Sequence, residues 1–250
     1  MTRDFSLAFC PVTSMFDDAH FITKNERKLL GEKTTPKRIG DFIAGRIAAK
    51  HAVRSYLSLP EHIRLSILRT EQGEEAGRPY VVSDEAYILP LVHLSITHAD
   101  KKAYAVASRS RIGIDNVTIE PYSSAFVEEV FQIGELKAWA DWLGVELSHP
   151  LAVCSGFAAK EAFLKWMGVG LRYSLPMVQL TPFYKEQSMQ QPSFFQKQFF
   201  AACCIHNRTG DDPEWIMLDG FFSLRNSQII ILLTGDSPFS RSRSDHVIDK

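Results

Sequence analysis

The chain of 250 residues is short of several features that would classify it at once. It has only 4 cysteines. Cys10, Cys154, Cys203 and Cys204 form no pair of CxxC units and no disulfide scaffold, so zinc ribbons and disulfide-stapled secreted domains are excluded. Buried free thiols are the expectation. No apolar run reaches membrane-spanning length, and the strongest, Ile229 to Leu233, is strand-sized. Arg3 and Asp4 interrupt the start of the chain, which argues against an export segment. A cytoplasmic protein with no membrane partner is therefore expected. A formal net charge of -1 excludes nucleic-acid binding by broad neutralisation, while leaving room for a local basic pocket that takes a small anion. No exact short repeat is evident.

What is present is a recurrence of helix and strand patterns in both halves, consistent with an α+β or mixed α/β fold. Thr35-Pro36 reads as a helix start. Ile39, Phe42, Ile43, Ile47, Val53 and Leu57 continue an apolar stripe until Pro60. Thr70 to Pro79 is polar and reads as a loop before Tyr80-Val81-Val82. Leu94 to Thr97 and Ala103 to Ala107 read as strands around a short reversal that leaves His98 at its edge. Phe126 to Phe131 and Leu136 to Leu143 are amphipathic. Ser155 is a candidate cap for the helix carrying Phe157 to Met167, with Gly168 at its exit. Four further strands are expected near 177–180, 199–205, 215–218 and 228–233. The serine-rich segment 237–250 reads as a flexible tail.

The chemistry concentrates in a split constellation. Ile112-Gly113-Ile114-Asp115 reads as a strand delivering one carboxylate. In Phe157-Ala158-Ala159-Lys160-Glu161-Ala162-Phe163-Leu164-Lys165, Glu161 and Lys165 share one helical face. Two carboxylates and a lysine suit a magnesium-bound diphosphate. The plainer alternatives are a helix-surface Glu161–Lys165 pair and a strand-end Asx cap at Asp115.

Taken in order with Ser95-Ile96-Thr97-His98, Ala44-Gly45-Arg46 and Gly77-Arg78-Pro79-Tyr80, these strings resemble the 4'-phosphopantetheinyl transferases. The resemblance is to the larger surfactin-synthetase-activating and enterobactin-type enzymes, and it covers roughly Lys37 to Leu180. It implies a pseudo-twofold pair of similar α+β halves, divided as 1–110 and 111–236, in a monomer. It implies transfer of 4'-phosphopantetheine from coenzyme A to a serine of an apo acyl or peptidyl carrier protein, releasing 3',5'-adenosine bisphosphate. Asp115 and Glu161 are then the Mg2+ ligands. Glu161, Lys165 and Asp115 are the catalytic set, with Glu161 the first candidate for proton acceptor. Arg46, Arg78, His98, Lys160 and Lys165 are the coenzyme A-binding set. Other readings are a different magnesium-dependent diphosphate-processing enzyme and a catalytically weak carrier-binding module.

Two positions depart from the larger relatives. Val117 stands where a second nearby acid is often found, and Phe157 where tryptophan is common. Glu120 is a poor replacement for the missing acid. Phe126, Val127 and Phe131 border a possible carrier groove but fit a core stripe equally well. Lys137, Arg172 and Lys185 are candidate rim charges.

Overall fold

The computed structural model describes residues 4–13, 21–31, 34–83, 87–132, 134–184, 194–206 and 214–236. The segment 237–250, expected as a tail, and Lys185 lie outside them. In the first half, strands β1 (Ser6–Pro11), β4 (His93–Ala99) and β5 (Lys102–Ser108) form an antiparallel sheet in the order β1-β5-β4. Strands β2 (Leu65–Arg69) and β3 (Pro79–Ser83) pair separately. In the second half, β6 (Arg111–Thr118), β7 (Val178–Tyr184), β8 (Lys197–Ile205), β9 (Ile216–Arg225) and β10 (Gln228–Gly235) are ordered β6-β10-β9-β8-β7. The helices are α1 (Lys24–Arg27), α2 (Pro36–Leu57), α3 (Ser124–Val130), α4 (Glu135–Leu143) and α5 (Pro150–Met167). The fold is a mixture of helices and sheets, as the periodicities indicate. None of the described helices is long and apolar enough to cross a membrane.

The long first helix begins as its sequence dictates. The Thr35 side chain accepts the Arg38 N–H, and Pro36 occupies the first turn, where no donor is missed. Its buried face keeps Ile43 and Val53 of the apolar stripe but is otherwise made largely of small residues. Gly40, Ala44, Gly45, Ala48, Ala49 and Ala52 are buried, whereas Ile39, Phe42 and Ile47 are only partly so. Small side chains let this helix approach the first sheet closely. The reversal between β4 and β5 uses Asp100 and Lys101 at φ 45° and 55°, the left-handed pair of a tight hairpin turn.

The start of α5 is not where Ser155 suggested. His149 is the N-cap, its Nδ1 accepting the Leu151 N–H at 3.1 Å, and Pro150 opens the helix. Ser155 lies fully buried in mid-helix, its hydroxyl without a hydrogen-bond partner. Proline at the first helical position was the stronger start signal. Gly168 ends the helix in the left-handed conformation, as expected.

The two sheets meet along a seam of side-chain hydroxyls. On one side β6 pairs with β10 through the backbone. On the other, the Ile114 N–H donates to Ser95 Oγ at 3.0 Å and the Asn116 N–H to Thr97 Oγ1 at 3.2 Å. Hydroxyls of β4 thus satisfy amides that another strand's carbonyls would otherwise take. Behind this seam, Phe5, Tyr104 and Val106 share one apolar cluster with Ile112, Ile114, Phe221 and Leu232. All 4 cysteines are free and buried.

Candidate active site

Strand alternation turns Gly113, Asp115 and Val117 toward α5, while Ile112, Ile114 and Asn116 face the other way. Helix and strand touch backbone to backbone at Gly113. A Cβ there would lie 1.9 Å from the Ala162 carbonyl oxygen and 2.6 Å from the Trp166 nitrogen. The residues just before those two contact points are Glu161 and Lys165, so the close approach also sets them against Asp115. The Lys165 ammonium lies 2.7 Å from Asp115 Oδ1. Thr97 Oγ1 is 2.8 Å from the same oxygen. The helix-surface Glu161–Lys165 pair is not the arrangement that forms.

The Glu161 carboxylate, half-buried, forms no ion pair or hydrogen bond among the described residues. Burial raises its pKa, the neighbouring Asp115 charge raises it further, and Lys165 offsets part of the rise. A carboxylate desolvated beside another is one whose ionised form a bound cation would stabilise. The donors are oxygen, the preference of magnesium, which usually takes one or two protein carboxylates and completes its shell with water and phosphate oxygens. Asp115 and Glu161 therefore fit such an ion. No group of three or more metal-ligating side chains is formed among the described residues.

Across the seam stand Arg46 and His98. Arg46 is buried, its guanidinium 4.2 Å from the centre of the Phe42 ring and its Nε without a partner. Burial pushes its pKa down to about 10. His98 presents one side to solvent while its ring packs on the helix at Gly45, where a Cβ would lie 2.6 Å from Nε2. Its pKa is lowered, first by desolvation, against the opposing Asp41 charge and a hydrogen bond to the Asp41 backbone. Lys165 and Arg46 lower it further. The charges of Lys165 and Arg46 both act on the His98 ring, so the three side chains share one region, a field suited to an anion.

Arg78 is held differently. It donates to Glu75 Oε1 at 2.6 Å and contacts His93 Nδ1 at 3.2 Å. Arg111 shares Glu75 Oε1 at 2.6 Å and reaches the Met167 carbonyl at 3.0 Å. This cluster, with Arg172 donating to the carbonyls of Gly73 and Glu74, ties the 73–78 turn to the second half. Arg172 is thereby committed to backbone, and Lys137 pairs with Asp141 at 2.6 Å, so neither is an unpaired rim charge.

Lys160 requires a correction. Expected among the coenzyme A-binding residues, it is fully buried on the far face of α5. Its ammonium lies 2.8 Å from Glu135 Oε2, 2.7 Å from the Val130 carbonyl and 3.2 Å from the Leu175 carbonyl. One residue of helical rotation separates it from Glu161, and that is enough to send it into the core. Phe157 packs with Tyr122 and Phe126, whose rings stack at 4.4 Å, as an aromatic wall one turn before Glu161. Phe131 lies over the Lys160 ammonium and against Gly156, a core role. Thr97 and Asn116 were missed as site residues. The signal was the alternation of Ser95 and Thr97 along β4, two hydroxyls on one face of the strand.

Paired carboxylates with one bound lysine stand across a seam from Arg46 and His98, a polar site where two sheets meet. Residues 111–216 match the model of the 4'-phosphopantetheinyl transferase superfamily. A holo-acyl-carrier-protein synthase of Bacillus cereus (strain G9842) is 37% identical over 87 residues, which are 34% of this chain and 68% of that protein. An L-aminoadipate-semialdehyde dehydrogenase-phosphopantetheinyl transferase of Xenopus laevis is 22% identical over 173 residues, 64% of this chain and 54% of the relative. Its Homo sapiens counterpart is 25% identical over 167 residues, 62% and 50% respectively. The chain thus spans about half the length of these longer relatives. It belongs to the 4'-phosphopantetheinyl transferase superfamily.

Proposed function

We propose that this protein transfers 4'-phosphopantetheine from coenzyme A to a serine hydroxyl of an apo acyl or peptidyl carrier protein, releasing 3',5'-adenosine bisphosphate. The observation that carries the reading is the meeting of Asp115 and Glu161, from different elements, with Lys165 on Asp115 and with Arg46 and His98 across the seam. The serine oxygen forms a bond to the phosphorus next to pantetheine as the bond to the adenosine-side bridging oxygen breaks. Asp115 and Glu161 hold Mg2+, which when bound supplies positive charge to the diphosphate and the transferred phosphoryl. Lys165 adds a further cation there. Arg46 and His98 receive the phosphate-bearing adenosine end. Arg78, held by Glu75, serves the adenine end of coenzyme A. Glu161 accepts the serine proton directly or through water.

The proposal includes two halves, 1–110 and 111–236, related by a pseudo-twofold axis. Its support is the repeated order: β1-β5-β4 in one sheet corresponds to β6-β10-β9 in the other, each with a long helix packed on it. It also includes a monomer working in the cytoplasm.

The test is intact-protein mass spectrometry of an apo carrier incubated with coenzyme A, Mg2+ and the enzyme. The carrier should gain phosphopantetheine, and E161Q and D115A, still folded by circular dichroism, should slow the gain by about 100-fold or more. Coenzyme A cleavage without carrier modification would favour another diphosphate-processing enzyme. Carrier binding without either would favour a binding module.

A further inference from the structure

We infer that Asn116 is a positioning residue, acting through the Thr97 hydroxyl to fix how Asp115 is presented. The inference rests on the role proposed above for Asp115. Thr97 Oγ1 stands between two side chains, 2.8 Å from Asp115 Oδ1 and 2.9 Å from the Asn116 amide, while accepting the Asn116 backbone N–H at 3.2 Å. All three residues are buried.

A hydroxyl carries one proton, so it cannot donate to both side chains. The carboxylate is the stronger acceptor because the bond is charge-assisted. The contact with Asn116 must then run the other way, its NH2 donating to Thr97. The amide of asparagine has two orientations of nearly identical shape, and the choice between them belongs to the hydrogen-bond network. With the amide oxygen toward Thr97, the buried Asn116 Nδ2 has no partner. Turning the group supplies one and removes the conflict of two acceptors for one proton. Thr97 then accepts two N–H groups and donates once, which leaves its proton a single destination. Asp115 Oδ1 is held by Thr97 and Lys165, and Oδ2 stays outside this network.

The neighbouring seam contact acts as an internal control. Ser95 Oγ makes the equivalent bond to the Ile114 N–H at 3.0 Å with an apolar side chain at 114. Joining the sheets therefore does not require an amide. The amide occurs at the one seam hydroxyl that also touches a site carboxylate, on a strand face otherwise given to Ile112 and Ile114. Burying it there is costly unless its hydrogen bonds are made.

The experiment compares N116D, N116L, T97V and T97S with the wild type. The probe is Mn2+, its binding followed by electron paramagnetic resonance and calorimetry with coenzyme A present, alongside Mg2+ titration of carrier modification. Loss of a residue that orients a metal ligand costs about 10–100-fold in affinity or activity. N116L and T97V should each weaken Mn2+ binding by about tenfold. N116D, which keeps the shape but sets two carboxylates against one hydroxyl proton, should weaken it at least as much. T97S should restore what T97V loses. The double variant N116L/T97V should match T97V alone, because Asn116 acts through Thr97. Wild-type Mn2+ affinity in folded N116D or N116L, or additive losses in the double variant, would overturn the inference. So would absence of Mn2+ binding by the wild type. The binding readout does not require turnover, so a protein that binds Mn2+ through this network yet modifies no carrier would refute the proposed transfer and not the positioning role.

Discussion

Gly113→Ala (G113A) adds a single methyl group where β6 and α5 have no room for one. The new carbon would lie 1.9 Å from the Ala162 oxygen, and both atoms nearest to it are helix backbone, so no side chain can swing aside. Gly113 is not among the residues with positive φ, and the demand for glycine is therefore one of space. The helix has to retreat by roughly 1.5 Å to bring the pair to a favourable separation of about 3.5 Å. Overpacking of this kind costs about 1–3 kcal/mol or more. The retreat also carries Glu161 and Lys165 away from Asp115, opening the 2.7 Å contact. Misplacement of about 1 Å in a reacting group can cost on the order of 100-fold in rate. G113A should therefore lose roughly that factor in carrier modification at a temperature where circular dichroism shows it folded, together with a lower midpoint in urea. A variant with wild-type midpoint and wild-type turnover would refute the claim that this backbone contact sets the site.

Two further predictions concern buried ionisable groups. Burial, with Arg78 and Arg111 nearby, pushes the His93 imidazole from 6.5 down to about 4. The unfolded chain takes up a proton near 6.5 and the folded one only near 4, so stability should fall as pH drops through that window. His93→Gln (H93Q), which keeps an acceptor for Arg78 without titrating, should flatten the fall, and an identical pH slope in urea denaturation would contradict the assignment. Lys160→Met (K160M) leaves the buried Glu135 carboxylate without its cation and should cost about 3–5 kcal/mol. Its coenzyme A affinity, measured by calorimetry below the unfolding transition, should not change; a selective loss of affinity would return Lys160 to the ligand site.

The chain by itself determined the elements that carry the site. Thr35-Pro36 and Gly168 punctuate helices through local backbone chemistry, which needs no tertiary partner. The apolar run to Asp115 and the one-turn spacing of Glu161 and Lys165 placed their side chains by period alone. Periodicity could not say which face of α5 is buried at Lys160, because a lysine reads as surface until its partner, Glu135 on α4, is known. Nor could it choose between Glu161 and Asp115 as the partner of Lys165, since the helix offers one and the strand the other. Tertiary packing decided in favour of Asp115 through the backbone contact at Gly113. The hydroxyl seam of Ser95 and Thr97 is legible only in space, for it depends on β4 lying beside β6 with β5 on its other side. Local patterns are set by near neighbours in the chain. Charges, acceptors and close approaches are set by whatever the fold brings within a few ångströms.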